Sequence, residues 1–337
     1  MGDKIMKLRL FVTKIIFFTL SILVLGVVYG GSQVLSKKTV MTKPNKFAYL
    51  EQKNRLIGMS AGQVLGISTE DGIRNTSTVP ILLYHGIVEI GNEDNIGWDQ
   101  FWEQMKALKQ AGWKTVTLKE LTGFMTGGTL PGKSFVLTFD DGRKDSYYAA
   151  DPILNALDFK AVMFVIADTL NGGDDFYLSE TEIKQMVDSG RWEIGSHTFG
   201  LHKTEQIDVS GNKGHALANK LWLGDLVRIE TDQEYEARIE ADLMRAKDDL
   251  ERVTGRLVDA MALPYGDYGQ DNSNYSESKE VIQAVAAKYY RVVFCQGREY
   301  SGWLNFAGRD VYMQKRISVE PGVSMETLLE RMGVKTP

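Results

Sequence analysis

Cysteine and histidine are scarce in this 337-residue chain, which contains one cysteine and four histidines. The single Cys295 excludes an intramolecular disulfide framework and any zinc site built from several thiolates. No cysteine directly follows the N-terminal apolar segment, which excludes a lipoprotein anchor. A metal site in this chain would therefore have to use imidazole and carboxylate ligands.

Basic residues are in deficit outside the N-terminus. The formal net charge is −5, and because the first 40 residues carry +5, the remainder carries −10. Affinity for nucleic acid comes largely from Lys and Arg side chains that displace counterions from phosphates, so an acidic body argues against a nucleic-acid partner. The 43% hydrophobic and 25% charged residues are typical of a globular protein.

Residues 15–36 carry no charge and follow four basic residues. This length is close to the about 20 residues that a membrane-spanning helix needs. The basic flank predicts a cytoplasmic segment at 1–14, a signal-anchor at 15–36, a linker at 37–76 and an extracytoplasmic folded domain at 77–337. The partner at the N-terminus would then be the cell membrane. A cleaved signal peptide ending near Gly30, which would give a secreted protein, is the alternative.

From Val79 onward, short apolar runs alternate with amphipathic segments. Strands that are apolar on both faces and alternate with helices predict a parallel α/β sheet or barrel. The predicted strands are 81–84, 115–118, 135–139, 161–166, 193–195, 260–263, 291–294 and 316–319. The predicted helices are 98–111, 145–157, 179–189, 232–254, 276–288 and 324–332. Residues 203–231 have no clean period, and we expect a long loop, a kind of segment that often acts as a lid.

Two adjacent carboxylates, Asp140 and Asp141, end the apolar run that begins at Ser134. Successive residues of a regular strand point to opposite faces, so both acids can share a site only where the strand breaks. Gly142 permits such a break. Asp-Gly is also a common turn signal, and on its own it would indicate no more than a turn.

His197 and His202 follow another predicted strand end. A spacing of five would place them about 140° apart on a helix with about 3.6 residues per turn, so they are not a helical pair. A strand end and a turn through Gly200 would let both face one ion. With Asp141 they would form the ligand set of a hydrolytic zinc site, and Asp140 could take a proton from the activated water. Taken singly, each histidine is more often structural, so the prediction depends on their combination.

Four segments of the chain together resemble the successive signatures of the polysaccharide deacetylases, carbohydrate esterase family four, also called the NodB homology domain. They are Pro80-Ile81-Leu82-Leu83-Tyr84-His85, Thr138-Phe139-Asp140-Asp141-Gly142, Ser196-His197-Thr198 with His202, and Leu263-Pro264-Tyr265-Gly266. The resemblance covers about residues 79–319. It implies a distorted (β/α) barrel with about seven parallel strands. The five-residue histidine spacing resembles the branch that deacetylates poly-N-acetylglucosamine.

The resemblance also implies roles for individual residues. Asp140 would be the catalytic base, and Asp141, His197 and His202 would bind a divalent metal, zinc first, with cobalt, nickel or iron as alternatives. The substrate groove would be lined by Pro264, Tyr265 and Gly266.

Two departures from the family pattern stand out. Most members carry an Arg shortly before the Pro of the third signature, where it orients the base, but this chain has Met261-Ala262-Leu263. Arg316 or Arg143 would then have to take its place. The last signature normally ends in a His that acts as general acid, and residues 316–319 contain none. The candidates for protonating the leaving amine are Asp140 itself and His85.

The expected function is metal-dependent removal of N-acetyl groups from an N-acetylglucosamine-containing polysaccharide of the cell wall or an exopolysaccharide. A non-catalytic polysaccharide-binding barrel and a hydrolase of another C–N bond are the alternatives. Trp222 and Trp303 are candidates for sugar contacts, and His215, in a glycine-flanked loop, is a weaker functional candidate.

Overall fold

Seven short parallel strands form a closed barrel in which neighbours in sequence are neighbours in the ring. In the computed structural model they are β1 (Ile81–Tyr84), β2 (Ser134–Phe139), β3 (Ala161–Val165), β4 (Trp192–Ser196), β5 (Ala260–Ala262), β6 (Val292–Gln296) and β7 (Met313–Ser318). Each strand pairs with the next, and β7 pairs with β1 to close the ring. The predicted seven-stranded (β/α) barrel is confirmed. Because all the strands run the same way, their carboxyl ends gather at one end of the barrel.

The structure describes residues 75–171, 173–270, 273–296, 302–308 and 312–334. All of them belong to one compact unit of the chain, residues 43–337. The predicted signal-anchor at 15–36 and nearly all of the predicted linker lie outside the described residues. A search of the described residues finds no helix with the length and apolar character to cross a membrane.

Seven helices are described in the same ranges. They are α1 (Trp98–Gln110), α2 (Leu118–Met125), α3 (Lys144–Leu157), α4 (Glu180–Asp188), α5 (Asp232–Thr254), α6 (Ser278–Tyr289) and α7 (Met325–Arg331). Helix α2 corrects the strand predicted at 115–118. The strand there is only Lys114–Thr115, and Thr117 then caps the helix by accepting a hydrogen bond from the backbone N–H of Glu120. The Thr-x-x-Glu capping box is a sequence signal that outweighs the β-branched run before it.

The barrel strands are buried on both faces, and alternate residues belong to two different apolar clusters. On β2, Phe135 and Leu137 pack with the surrounding helices, whereas Val136 belongs to a smaller cluster drawn from several strands. This alternation identifies the smaller cluster as the barrel interior. Counting on by twos from Val136 gives Thr138 and then Asp140, so the strand itself aims the Asp140 carboxylate at the interior axis.

Residues 203–231 form two β-hairpins, not the irregular loop that we predicted. Thr204–Gln206 pairs with Lys213–His215, and Trp222–Leu223 pairs with Arg228–Ile229. The strands are only two or three residues long, too short to show a period in the sequence. At the other end of the domain, Asn75–Thr76 pairs with Leu130–Pro131, so these last residues of the predicted linker are part of the fold.

Candidate metal centre and active site

Asp140 and Asp141 share one site because the chain leaves the extended conformation between them. Strand β2 ends at Phe139, and Asp141 and Gly142 both adopt left-handed backbone conformations, with φ of 71° and 72°. Glycine adopts this region at little cost, and Asp is one of the few other residues that tolerate it. The break lies at Asp141 as well as at Gly142, where the sequence alone had placed it.

His197 and His202 are held by a turn that is anchored at both ends. The Nδ1 atom of His197 lies 2.8 Å from the carbonyl oxygen of Ala262 on β5. In the turn between the two histidines, the backbone N–H groups of Phe199 and Gly200 donate to the two carboxylate oxygens of Asp242 at 2.8 and 2.7 Å. Asp242, on helix α5, therefore fixes the path of the chain that brings His202 back to His197.

The side chains of Asp141, His197 and His202 converge on one point. Oδ1 of Asp141 is 3.6 Å from Nε2 of His197 and 3.4 Å from Nε2 of His202, and the three ligand atoms all lie within 4.8 Å of one another. Ligands about 2.0–2.1 Å from a tetrahedral zinc ion are separated by about 3.3–3.4 Å, so the two Asp–His distances fit such an ion closely. The donor set of two imidazoles and one carboxylate also fits zinc.

Electrostatics keep His202 in the form that binds metal. Burial lowers the pKa of its imidazole, and the neighbouring His197 lowers it further, against the opposing effect of Asp141. A neutral imidazole is the form that ligates a cation. Among the described residues, the group of carboxylate and imidazole side chains that could hold a divalent metal is formed by the three residues that the sequence predicts.

Asp140 is held by Arg316 inside the barrel. The two terminal nitrogens of Arg316 donate to the two carboxylate oxygens of Asp140 at 2.6 and 2.8 Å, and the two residues are 0% and 2% exposed. Burial alone would raise the pKa of Asp140, but the Arg316 guanidinium and His197 outweigh it and lower that pKa from 3.8 to about 2. Arg316, on β7, is thus the basic partner of Asp140, one of the two arginines that the sequence offers for this contact.

Arg143, the other candidate for that position, pairs elsewhere. Its guanidinium donates to Asp145 at 3.0 and 2.6 Å and to Asn95. Its role is to tie the start of helix α3 to the loop after β1.

His85 lies directly beyond β1, and its charge is close enough to lower the pKa of Asp140. It lines a cleft of 220 Å³ together with Gln296, Ser318 and Glu320, residues at the carboxyl ends of β6 and β7 and just beyond. His85 is half-buried and borders the cleft, so its imidazole could exchange a proton with a molecule bound there.

Pro264, Tyr265 and Gly266 form a single helical turn after β5. Pro264 and Gly266 are buried, whereas the Tyr265 side chain is 40% exposed and its ring centroid lies 4.4 Å from that of His202. The structure therefore brings Tyr265 next to the three candidate metal ligands, Asp141, His197 and His202. It places Pro264 and Gly266 behind Tyr265.

The two candidate tryptophans have structural contacts in the described part of the chain. Trp222 belongs to the second hairpin and is half-buried. Trp303 packs against the main apolar cluster, with the Arg331 guanidinium 5.3 Å from its ring. Neither of these contacts involves the three candidate metal ligands.

The sequence interpretation missed Asp242 altogether. It lies in a highly charged 23-residue helix, where one carboxylate among many has no distinguishing pattern. The signal that could have found it is indirect: a tight turn between two ligands five residues apart leaves backbone N–H groups that need an acceptor.

Comparison with known proteins places this geometry in context. Residues 127–284 match the family described as polysaccharide deacetylase. The chain is 27% identical over 179 residues to the poly-beta-1,6-N-acetyl-D-glucosamine N-deacetylase of Escherichia coli strain K12, an alignment that covers 49% of this chain and 27% of the relative. It is 32% identical over 120 residues to the enzyme of the same name from Staphylococcus aureus strain MSSA476, covering 34% and 41% of the two chains.

Among solved structures, a de-N-acetylase from Aggregatibacter actinomycetemcomitans is similar with a TM-score of 0.65 and 23% identity, over 75% of this chain and 99% of the other. At that identity the likeness shows the fold. The chain spans less than half the length of the curated relatives it matches.

Proposed function

We propose that this chain, whose residues 127–284 match the polysaccharide deacetylase family, is a metal-dependent hydrolase of N-acetyl groups on poly-N-acetylglucosamine. Two relatives from different organisms are named for this activity on the β-1,6-linked polymer. The observation that carries the proposal is the convergence of Asp141, His197 and His202 beside the paired carboxylate of Asp140.

The three ligands would hold a divalent metal, with zinc as our first choice and cobalt, nickel or iron as alternatives. Such a metal supplies Lewis acidity, which makes water a better proton donor and polarises the amide carbonyl. The ligand residues would set the position of the metal. The Ala262 carbonyl fixes the orientation of the His197 ring, and Asp242 fixes the backbone that leads from His197 to His202.

Asp140 would act as the general base. A pKa of about 2 keeps its carboxylate ionised throughout the neutral range but also makes it a weak base, so it would accept a proton only from a water whose own pKa the bound metal lowers. The bidentate contact with Arg316 leaves the carboxylate little freedom to rotate, which fixes the direction from which that proton arrives.

His85 would act as the general acid. An amine leaves an amide readily only if its nitrogen is protonated, and the last family signature provides no histidine here. His85 lies at the carboxyl end of β1, near Asp140 and facing the cleft, so it can deliver that proton to the sugar nitrogen. Asp140 would accept a proton from the attacking water, and His85 would donate a proton to the leaving amine.

The location of the enzyme is proposed from the sequence alone. The basic N-terminus and the uncharged residues 15–36 favour a single-pass membrane protein whose catalytic domain faces outward. A polymer outside the membrane would then be within reach of the barrel end that carries the site.

The test is acetate release by the purified protein from β-1,6-linked N-acetylglucosamine oligomers, compared with β-1,4-linked oligomers and with free N-acetylglucosamine. We expect turnover of the β-1,6-linked oligomers to exceed that of the other two. Binding of the oligomers with no acetate release under any divalent metal would replace the proposal with a non-catalytic barrel. Preference for the free sugar would indicate a hydrolase of small C–N substrates.

A further inference from the structure

Three aromatic rings form a continuous stack that leads from the candidate metal ligand His202 to the first hairpin. The ring centroid of Tyr265 lies 4.4 Å from that of His202 and 4.1 Å from that of His215, and the His215 ring is nearly parallel to it at 11°. His202 belongs to the proposed metal cluster, whereas His215 ends the hairpin strand Lys213–His215. The stack therefore connects the hairpin to a metal ligand.

Tyr265 is a residue whose position needs support. Its backbone φ of 58° lies in the left-handed region, which is strained for a bulky residue, and such a conformation persists only when its surroundings impose it. The side chain is 40% exposed, so burial in the core does not hold it. The imidazole of His215 is the neighbour that covers part of the ring.

His215 is itself firmly held. Its Nδ1 lies 2.6 Å from a carboxylate oxygen of Asp267, whose other oxygen accepts the backbone N–H of Gly269 at 2.9 Å. The His215 carbonyl accepts backbone N–H groups from Ala218 and Asn219. A carboxylate behind the ring and a fixed backbone leave the imidazole little freedom to move.

The preceding Gly214 allows this close packing. A Cβ atom at this position would lie 2.8 Å from the side-chain nitrogen of Asn219, too close for any other residue without a shift. The amide of Asn219 in turn donates to the His215 carbonyl. The glycine beside His215 is thus explained by the placement of the histidine.

The two metal-ligating histidines differ in how their rings are oriented. The His197 ring is directed by the Ala262 carbonyl, whereas the His202 ring is bordered by the rings of His197, at 4.8 Å, and Tyr265. A displacement of Tyr265 would therefore release His202 more than His197.

We propose that His215, anchored by Asp267, is a positioning residue that holds Tyr265 against the metal ligand His202. The inference rests on the proposed metal site. It makes the hairpin insertion an integral part of the active site. His215 contacts no reacting atom, and its effect on metal and substrate passes through the tyrosine ring.

The test is a double-mutant cycle of His215→Ala and Tyr265→Ala, read by the affinity of the purified protein for Co²⁺ in competition with a chromophoric chelator. Residues that support metal ligands typically change metal affinity by about 10–100-fold, and we expect His215→Ala to weaken Co²⁺ binding about tenfold. Because His215 acts through Tyr265, the double variant should bind Co²⁺ no more weakly than Tyr265→Ala alone. Lys213→Ala, an exposed change on the same strand, is the control and should stay within about twofold of the parent.

The absorption spectrum of the Co²⁺-loaded protein gives a second readout, because a change in the His202 ligand alters the ligand field. A His215→Ala protein with parental Co²⁺ affinity and spectrum would overturn the inference, and so would additive effects in the cycle. Normal Co²⁺ binding by the parent with no acetate release would reject the proposed function while leaving the inference standing. Acetate release by the parent, together with parental Co²⁺ affinity in His215→Ala, would reject the inference while leaving the proposed function standing.

Discussion

Replacement of Arg316 by Met is the most informative single change in this protein. It removes both hydrogen bonds to Asp140 and leaves a carboxylate that is 2% exposed without its cationic partner. Loss of one member of a buried ion pair costs about 3–5 kcal/mol, because the remaining charge stays out of water. We expect a loss of this size in the free energy of unfolding, measured by urea denaturation at pH 7 with a chelator present.

The same change should reverse the pH dependence contributed by Asp140. In the parent its pKa is depressed to about 2, so its contribution to stability is present above pH 3.8 and is lost as the pH falls towards 2. Without the guanidinium, burial becomes the dominant influence and should raise the pKa of Asp140 above its usual value. The ionised carboxylate then destabilises the fold at pH 7, and the stability gap between variant and parent should narrow as the pH falls towards 4.

Two further variants separate charge from geometry. Arg316→Lys keeps a cation but loses the two-pronged contact, and should retain part of the stability while lowering kcat/KM. The double variant Arg316→Met with Asp140→Asn buries a neutral amide and should lie within about 1–3 kcal/mol of the parent. A single Arg316→Met variant as stable as the parent at pH 7, or a gap that does not change with pH, would refute this reasoning.

Three other changes test separate parts of the structure. Asp242→Asn weakens the acceptors of two backbone N–H groups and should cost about 1–3 kcal/mol in urea denaturation and reduce metal affinity, whereas Asp248→Asn, an exposed change on the same helix, should do neither. Gly195→Ala would place a Cβ 2.4 Å from the Phe164 ring and should lower the melting temperature, with parental thermal stability contradicting the packing described. His85→Gln should reduce kcat by about 10²–10⁴-fold with little change in KM or Co²⁺ affinity, and an unchanged kcat would remove His85 from the reaction.

The barrel was predictable because each strand is a short apolar run that ends at a polar residue. Strand β1 is predicted to the residue, and six of the seven helices are predicted within about two residues at each end. The missing helix α2 follows directly on a β-branched run, so its beginning was hidden in a predicted strand. Tertiary pairing decided the rest: β7 begins at Met313, three residues before the predicted start, because it continues its pairing with β6.

In the candidate site too, local sequence predicts some features and tertiary contacts decide the others. The residue types at strand ends predict that Asp141, His197 and His202 lie close together, because the carboxyl ends of parallel strands lie at the same end of the barrel. Sequence could not choose between Arg316 and Arg143 as the partner of Asp140, since that choice depends on closure of the barrel, which brings β7 to within two strands of β2. It also gave His215 little weight, because the contact with Asp267 is made across 52 residues of chain.

The account depends most on the claim that Asp141, His197 and His202 hold the metal required for deacetylation. The direct measurement is acetate release from β-1,6-linked N-acetylglucosamine oligomers by chelator-stripped protein during titration with Zn²⁺ or Co²⁺, with metal content determined in parallel. We expect activity to rise linearly to one metal per chain, and Asp141→Ala to bind no stoichiometric metal and release no acetate. Full turnover by the stripped protein, or parental turnover by Asp141→Ala, would contradict the account.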